Sequence, residues 1–247
     1  MPSLPLLRGN SISLEDALTD DDNILHRLDY PQKQEEFWSY LLAHRNEIER
    51  VVSFHLRAKH SHWLCGSYNV CIPVYTNLPS EECVLIRIPL PYKVGEEKIP
   101  GNVDEKLRCE VATYIWIHEN CPAVPIPTLQ GFAFPNGQTS CMNFSSRWRW
   151  RIMQTMRPWV GFPKTCPYVG FKPKNVLKTG YIITSFVKNG QMLSNTWADH
   201  LLSDKERRQT LFGDIAKIIL SLNRIKLPRI RSLTLDDDGL IELKIDP

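Results

Sequence analysis

Cys83-Val84-Leu85-Ile86-Arg87-Ile88, followed after a loop by the run from Asn102 to Asn120, decides how this chain is read. The first segment is short, apolar and rich in β-branched residues, the composition of a buried strand. Strand alternation sets Leu85 and Arg87 on one face and Val84, Ile86 and Ile88 on the other. In the second segment Leu107, Val111, Tyr114, Ile115 and His118 recur at helical spacing and form its inner stripe. Asn102 with Glu105 three residues on reads as a capping box, and Pro122, Pro125 and Pro127 end the helix. Glu110 lies next to that stripe, so the helix can present a carboxylate to the strand cation Arg87.

On the N-terminal side, His62-Trp63-Leu64-Cys65 leads through Gly66-Ser67 into a β-rich run from Tyr68 to Tyr75, and a turn at Pro79-Ser80 precedes the 83–88 strand. Further upstream, Phe37, Leu41, Ile48, Val52 and His55 predict one helix over 34–55, and residues 1–30 read as an N-terminal extension. On the C-terminal side, Thr128 to Phe134 is a strand before the turn Pro135-Asn136-Gly137. A second strand, Tyr181 to Val187, runs into Lys188-Asn189-Gly190. Ser203 and Glu206 form a capping box for a helix over 204–225 with the stripe Leu211, Ile215, Ile218, Leu222 and Ile225. A hairpin closes the pattern, with strands 232–235 and 240–243 around Asp237-Asp238-Gly239, a turn that tolerates positive φ.

At 247 residues the chain is one ordinary domain or two small lobes. A net charge of +3 is too mild to argue for nucleic acid. Seven cysteines, an odd number without scaffold spacing, include Cys71, Cys83 and Cys109 inside apolar runs, the usual setting of buried thiols. No apolar h-region opens the chain and no run of about 18 apolar residues follows, which predicts a cytoplasmic location. Nucleic acid and membrane are accordingly not the expected partners.

Three constellations carry possible chemistry. A glycine between two strands lets backbone approach a phosphate, with the amides of Ser67 and Tyr68 aimed at it beside Gly66; the bland alternative is an ordinary hairpin turn. Arg87 and Glu110 suit a strand cation held by a helix carboxylate, with Leu85 as the floor of an adenine site; the alternative is two solvated surface charges. Arginine is not a neutral replacement for lysine there, because its planar fork meets phosphates differently. The strand 181–187 becoming a linker suits adenine recognition by backbone groups, which leaves no mark on sequence. His60, His62 and Cys65 lack zinc spacing, and Asp236-Asp237-Asp238-Gly239 lacks the rest of a calcium loop. Arg147-Trp148-Arg149-Trp150-Arg151, with Arg157, Trp159 and Lys164, mixes cations and indoles as binders of anionic lipid or nucleic acid do. The same composition also serves to pack a long loop.

The order of these pieces resembles the fungal branch of the aminoglycoside phosphotransferase-like family. The matching words are His62 to Val74, Val84 to Pro89, Glu110 to Glu119, Thr179 to Ile182, Met192 to Trp197, Leu211-Phe212, Leu227 to Ile230 and Ser232-Leu233. The likeness runs from about Glu36 to Leu243. It implies an α+β, protein-kinase-like fold. An ATP-binding N-lobe would span 31–187, with a Trp/Arg-rich insertion at 139–178. Residues 188–247 would be the linker, helix and hairpin that open an incomplete C-lobe. The resemblance suggests Gly66 and Ser67 in the phosphate loop, Arg87 as the cation, Glu110 as its partner, and an adenine linker near Ser185 to Val187.

The chain departs from that family at Ser185 and Lys188, where relatives place a linker carboxylate, and at Arg231, where they have Gly. Relatives then continue into a helical lobe with a His-x-Asp catalytic loop, an Asn and a metal-binding Asp. His26-Arg27-Leu28-Asp29 precedes the lobe and has the wrong spacing to substitute. No catalytic residue and no metal ligand is therefore assigned. The expectation is weak ATP binding, no magnesium, and no activity from this chain alone, since a base contributes a factor of about 10² to 10⁴. The alternative is a non-catalytic interaction module. In it, the uncovered apolar face of the 204–225 helix offers a surface to a protein partner or to a second copy.

Overall fold

The computed structural model describes residues 3–5, 11–19, 24–56, 58–60, 64–65, 68–76, 83–135, 139–142, 156, 166, 168–171, 177, 179–190, 192–197 and 204–244. Residues 1–46 and 47–247 form two compact units.

In the first unit, β1 (Ser3–Pro5) pairs antiparallel with β2 (Ser11–Ser13), and α1 (Leu14–Thr19) and α2 (Ile24–Ala43) follow. The helix expected over 34–55 is two helices. The first ends within the first unit, before a break at His44, whose ring Nδ1 lies 2.8 Å from the Tyr40 carbonyl; α3 (Arg45–Leu56) follows and belongs, from Glu47 on, to the second unit. That carbonyl already accepts the His44 amide at 3.1 Å, so a side chain competes for the acceptor where the helix breaks.

The second unit is built on an antiparallel sheet. Its strands are β3 (Ala58–His60), β4 (Leu64–Cys65), β5 (Asn69–Thr76), β6 (Cys83–Pro89), β7 (Leu129–Ala133), β8 (Thr139–Met142), β9 (Tyr168–Phe171) and β10 (Tyr181–Ser185). They lie in the order β3-β5-β6-β10-β7-β8-β9, with β4 paired to β5 beyond that path. The fold is mixed α+β. The expected strands around residues 64–76, 83–88, 128–134 and 181–187 are all present.

Both faces of the central strands are occupied. Register places Ile72 opposite Ile86 and Ile86 opposite Ile183, and these three, with Val70, Val74, Val84 and Ile88, are buried on one face. On the other face the row Cys71, Arg87, Ile182 and Phe132 runs across β5, β6, β10 and β7. α4 (Asn102–Asn120) covers this second face and buries Val103, Leu107, Val111, Ala112 and Ile115 in a core with Leu129, Phe132, Phe134 and Ile182. The expected stripe differs at its margin, because Tyr114 is half-buried and His118 is exposed.

The N-terminus of α4 is not capped as a capping box. Gly101 occupies the cap position at φ 108° and offers no side chain. Glu96, in the preceding loop, accepts the Gly101 amide at 2.8 Å and the Val103 amide at 2.6 Å. Two orphan donors are thereby satisfied by a carboxylate at the positive end of the helix dipole. Asn102 instead donates its side-chain amide to the Val94 carbonyl at 2.8 Å.

Beyond β10 come the short α5 (Leu193–Thr196) and α6 (Lys205–Asn223). Asp204, not Ser203, caps α6 by accepting the amides of Glu206 and Arg207 at 3.0 Å each; Ser203 lies outside the described residues. No residue of α6 is buried: in the expected stripe Leu211, Ile218, Leu222 and Ile225 are half-buried and Ile215 is exposed, and beside the stripe Phe212, Ile219 and Leu220 are mainly exposed.

The final hairpin, β11 (Ser232–Leu235) and β12 (Ile241–Lys244), pairs Leu235 with Ile241. Its turn is longer than a two-residue loop, with Asp236 N donating to Leu240 O at 3.0 Å and Gly239 at φ 79°. β11 lies on α4, and Leu235 joins the core there.

Candidate functional site

Arg87 leaves the α4 face of β6, and a four-residue spacing puts Lys106, Glu110 and Tyr114 along one edge of α4. The edge lies beside the buried stripe, so these polar side chains meet the sheet at the border of the core. Arg87 Nη2 lies 3.4 Å from Glu110 Oε2, and Arg87 Nη1 donates to the Tyr114 hydroxyl at 3.3 Å. Lys106 Nζ contacts the other carboxylate oxygen, Glu110 Oε1, and donates to Asn69 Oδ1 at 3.2 Å. Asn69 opens β5 and lies three residues after Gly66 in sequence. One carboxylate thus stands between two cations, and the cluster carries a net charge of +1. Arg87, Lys106 and Glu110 are each about a quarter exposed or less, at 23%, 20% and 26% of their side-chain surface. Shielded to that degree, they interact more strongly than solvated surface charges do.

Leu85 lies two residues before Arg87 on the same face, half-buried. Its register partner on β10 is Thr184, buried on the same face. Tyr68 is largely exposed, and its carbonyl accepts the Leu90 amide at 2.9 Å, continuing the β5–β6 pairing. Gly66 and Ser67 lie outside the described residues.

Ser185 ends β10 with its side chain on the face opposite Leu85. Its Oγ accepts the Thr128 amide at 2.8 Å, and its own amide donates to Thr128 O at 2.9 Å. The Phe186 amide donates to Cys83 O at 3.1 Å. Val187 follows, 65% exposed. The first two amides of the linker are therefore engaged within the sheet, and a ligand read by linker backbone would meet Val187 first.

The structure thus brings together Arg87 and Glu110, and sets Leu85 two residues from Arg87 on the same face of β6. It sets Ser185 to fastening the linker and leaves Tyr68 and Val187 at the surface. Sequence reading missed Lys106 and Asn69, and placed Tyr114 in the core stripe. The spacing Lys106, Glu110, Tyr114 was the available signal.

Other sequence candidates fall elsewhere. Arg147, Trp148, Arg149, Trp150, Arg151, Arg157, Trp159 and Lys164 lie outside the described residues, as do His62 and the turn at Asn136-Gly137. The Asp-rich turn serves the hairpin, with Asp236 Oδ1 accepting the Leu240 amide at 2.7 Å and Asp237 pairing with Arg108 at 2.6 Å. Among the described residues no group of three or more His, Cys, Asp or Glu side chains is placed to hold a metal ion. No described helix is long and apolar enough to cross a membrane. In comparisons with known proteins, no family model, no curated protein and no solved structure matches the chain.

Proposed function

We propose that the second unit holds a nucleotide as the ATP-binding lobe of a kinase-like phosphotransferase does, in the manner of the aminoglycoside phosphotransferase-like family. The observation that carries the reading is the pairing of Arg87 with Glu110 at 3.4 Å. It joins a cation on the third strand of the β4-β5-β6 meander to a carboxylate on the next helix, the relationship that orients phosphates in this class. Two further features support it. Leu85 shares the Arg87 face, and β10 runs into a linker whose Ser185 and Phe186 amides are bonded within the sheet, so that among the described residues the next linker amide is that of Val187. The proposal concerns nucleotide holding. Phosphoryl transfer also needs a base and metal-binding carboxylates, and no residue is assigned to either role.

Calorimetric titration of the full chain with ATP tests it. Binding is expected to be weak, and Arg87→Met is expected to weaken it by at least about tenfold, the loss of one charge-assisted contact. No heat and no thermal shift at millimolar ATP would reject the reading, as would an Arg87→Met variant that binds like the parent.

A second reading, an interaction module, is favoured by α6, where Phe212, Ile219 and Leu220 are 56%, 59% and 59% exposed. Phe212 and Ile219, seven residues apart, share one side of the helix next to its stripe, and exposed apolar groups so placed suit a partner surface. Sedimentation of the chain against Phe212→Glu checks self-association through this face; identical monomeric profiles would exclude it.

A further inference from the structure

The cation nearest in role to a phosphate ligand is also the more loosely held. Arg87 lies 3.4 Å from Glu110 and 3.3 Å from Tyr114, longer than a well-formed charge-assisted bond of about 2.7–2.9 Å. Glu110 does not depend on it. Lys106 contacts its other oxygen and is itself steadied by Asn69 at 3.2 Å. The order Lys then Glu at this spacing is the weaker of the two helix orientations, so helix stability alone does not account for the pair.

In a simple strand–helix pair, a cation that turns to an anionic ligand leaves a half-buried carboxylate without its counter-charge, which is unfavourable. Here the departure of Arg87 leaves Glu110 still paired. We propose that Lys106 is a positioning residue: it holds Glu110 so that the Arg87 guanidinium can turn to an anion of the polyphosphate class. The inference rests on the nucleotide-holding reading and adds how the cation is released. A planar fork with five donors suits adjacent phosphate oxygens. The net charge of +1 in the cluster favours a multiply charged anion over a neutral or singly charged one.

The test uses the full chain, inorganic tripolyphosphate as probe and calorimetry as readout, with a thermal melt for each variant. Lys106→Met leaves Arg87 as the one counter-ion of Glu110 among the described residues. It is expected to weaken tripolyphosphate binding by at least about tenfold, as removing one partner of a shielded charge pair does. Lys106→Arg preserves the charge, stays close to the parent and serves as the folded control. The double variant Lys106→Met with Glu110→Gln removes the need for a counter-ion and is expected to regain most of the lost affinity. Unchanged affinity in Lys106→Met would overturn the inference. So would a loss that the double variant does not restore, because Lys106 would then touch the anion itself. A parent chain that binds neither tripolyphosphate nor ATP would instead reject the nucleotide reading, and this inference with it.

Discussion

Arg108 of α4 and Asp237 of the hairpin turn stand 2.6 Å apart although 129 residues separate them in the chain. The same guanidinium bonds Asp104 at 2.6 Å and the Leu235 carbonyl at 2.9 Å, and lies 4.4 Å from the centre of the Phe134 ring. Burial lowers its pKa, but the bonds to Asp104 and Asp237 more than offset this, and the net direction is upward. Arg108→Leu keeps the bulk and removes every bond. It is expected to cost about 2–3 kcal/mol, below the range for a fully buried pair because Asp237 is solvated. Urea denaturation measures the loss, and hydrogen exchange should show it concentrated in residues 232–244. A variant as stable as the parent would mean that the hairpin is held by its apolar contacts alone.

Gly180 cannot carry a side chain. Its φ is +66°, and a Cβ would stand 2.6 Å from Leu107 Cδ1, 2.8 Å from the Ala133 carbonyl and 3.0 Å from Pro135 Cδ. Gly180→Ala combines backbone strain with overpacking and is expected to cost about 3 kcal/mol or more. Gly101 makes the contrast, since at φ +108° it has nothing within 4 Å of a built Cβ. Gly101→Ala should therefore cost only the strain, about 1–2 kcal/mol. Thermal melts of the two variants should rank in that order, and the reverse ranking would refute the packing argument.

Glu96 caps α4 from outside the helix. Removing it in Glu96→Ala strips acceptors from the Gly101 and Val103 amides and is expected to cost about 1–2 kcal/mol, a typical cap. Glu96→Gln retains one oxygen acceptor and should fall between parent and Ala. Denaturant midpoints decide this, and an Ala variant within about 0.3 kcal/mol of the parent would show that water caps the helix equally well.

Cys166 gives a pH signature. Burial pushes its thiol up from 9.0 to about 11. The folded state therefore retains a proton that the unfolded chain releases first. The associated stability is fully present below about pH 9 and is lost as pH rises through about 11, a total of about 2–3 kcal/mol. The parent should lose stability across that window relative to Cys166→Ala, and the thiol should alkylate slowly at pH 8. Parallel stability curves for the two proteins between pH 8 and 11 would contradict the burial of this group.

The pairing of β6 with α4 was legible because both periods are strong there. Alternation in 83–88 placed Arg87, and the stripe from Leu107 to Ile115 placed α4 within its observed bounds, Asn102–Asn120. The cap was not legible. A loop that folds back through Gly95 and Gly101 brings Glu96 to the helix end, and sequence spacing carries no trace of that geometry. The α6 cap moved by one residue for a simpler reason, since Ser203 and Asp204 are both competent acceptors. Lys106 was legible as a spacing but not as a choice of partner, which depends on where Asn69 and Arg87 arrive in space. The stripe of α6 shows which side is apolar, and periodicity says nothing of what covers it.

The position of Leu235 has a temporal consequence. It enters the same core as Val111, Ala112 and Ile115, yet it is synthesised more than a hundred residues after them. On the ribosome, α4 can settle against Leu129 and Phe132 of β7 well before Leu235 is made. Closing that core is a non-local event, slow by nature and exposed to aggregation until it happens. The 232–244 hairpin therefore closes the α4 core late in synthesis, and until it does the apolar side chains it covers stand open to non-native contacts.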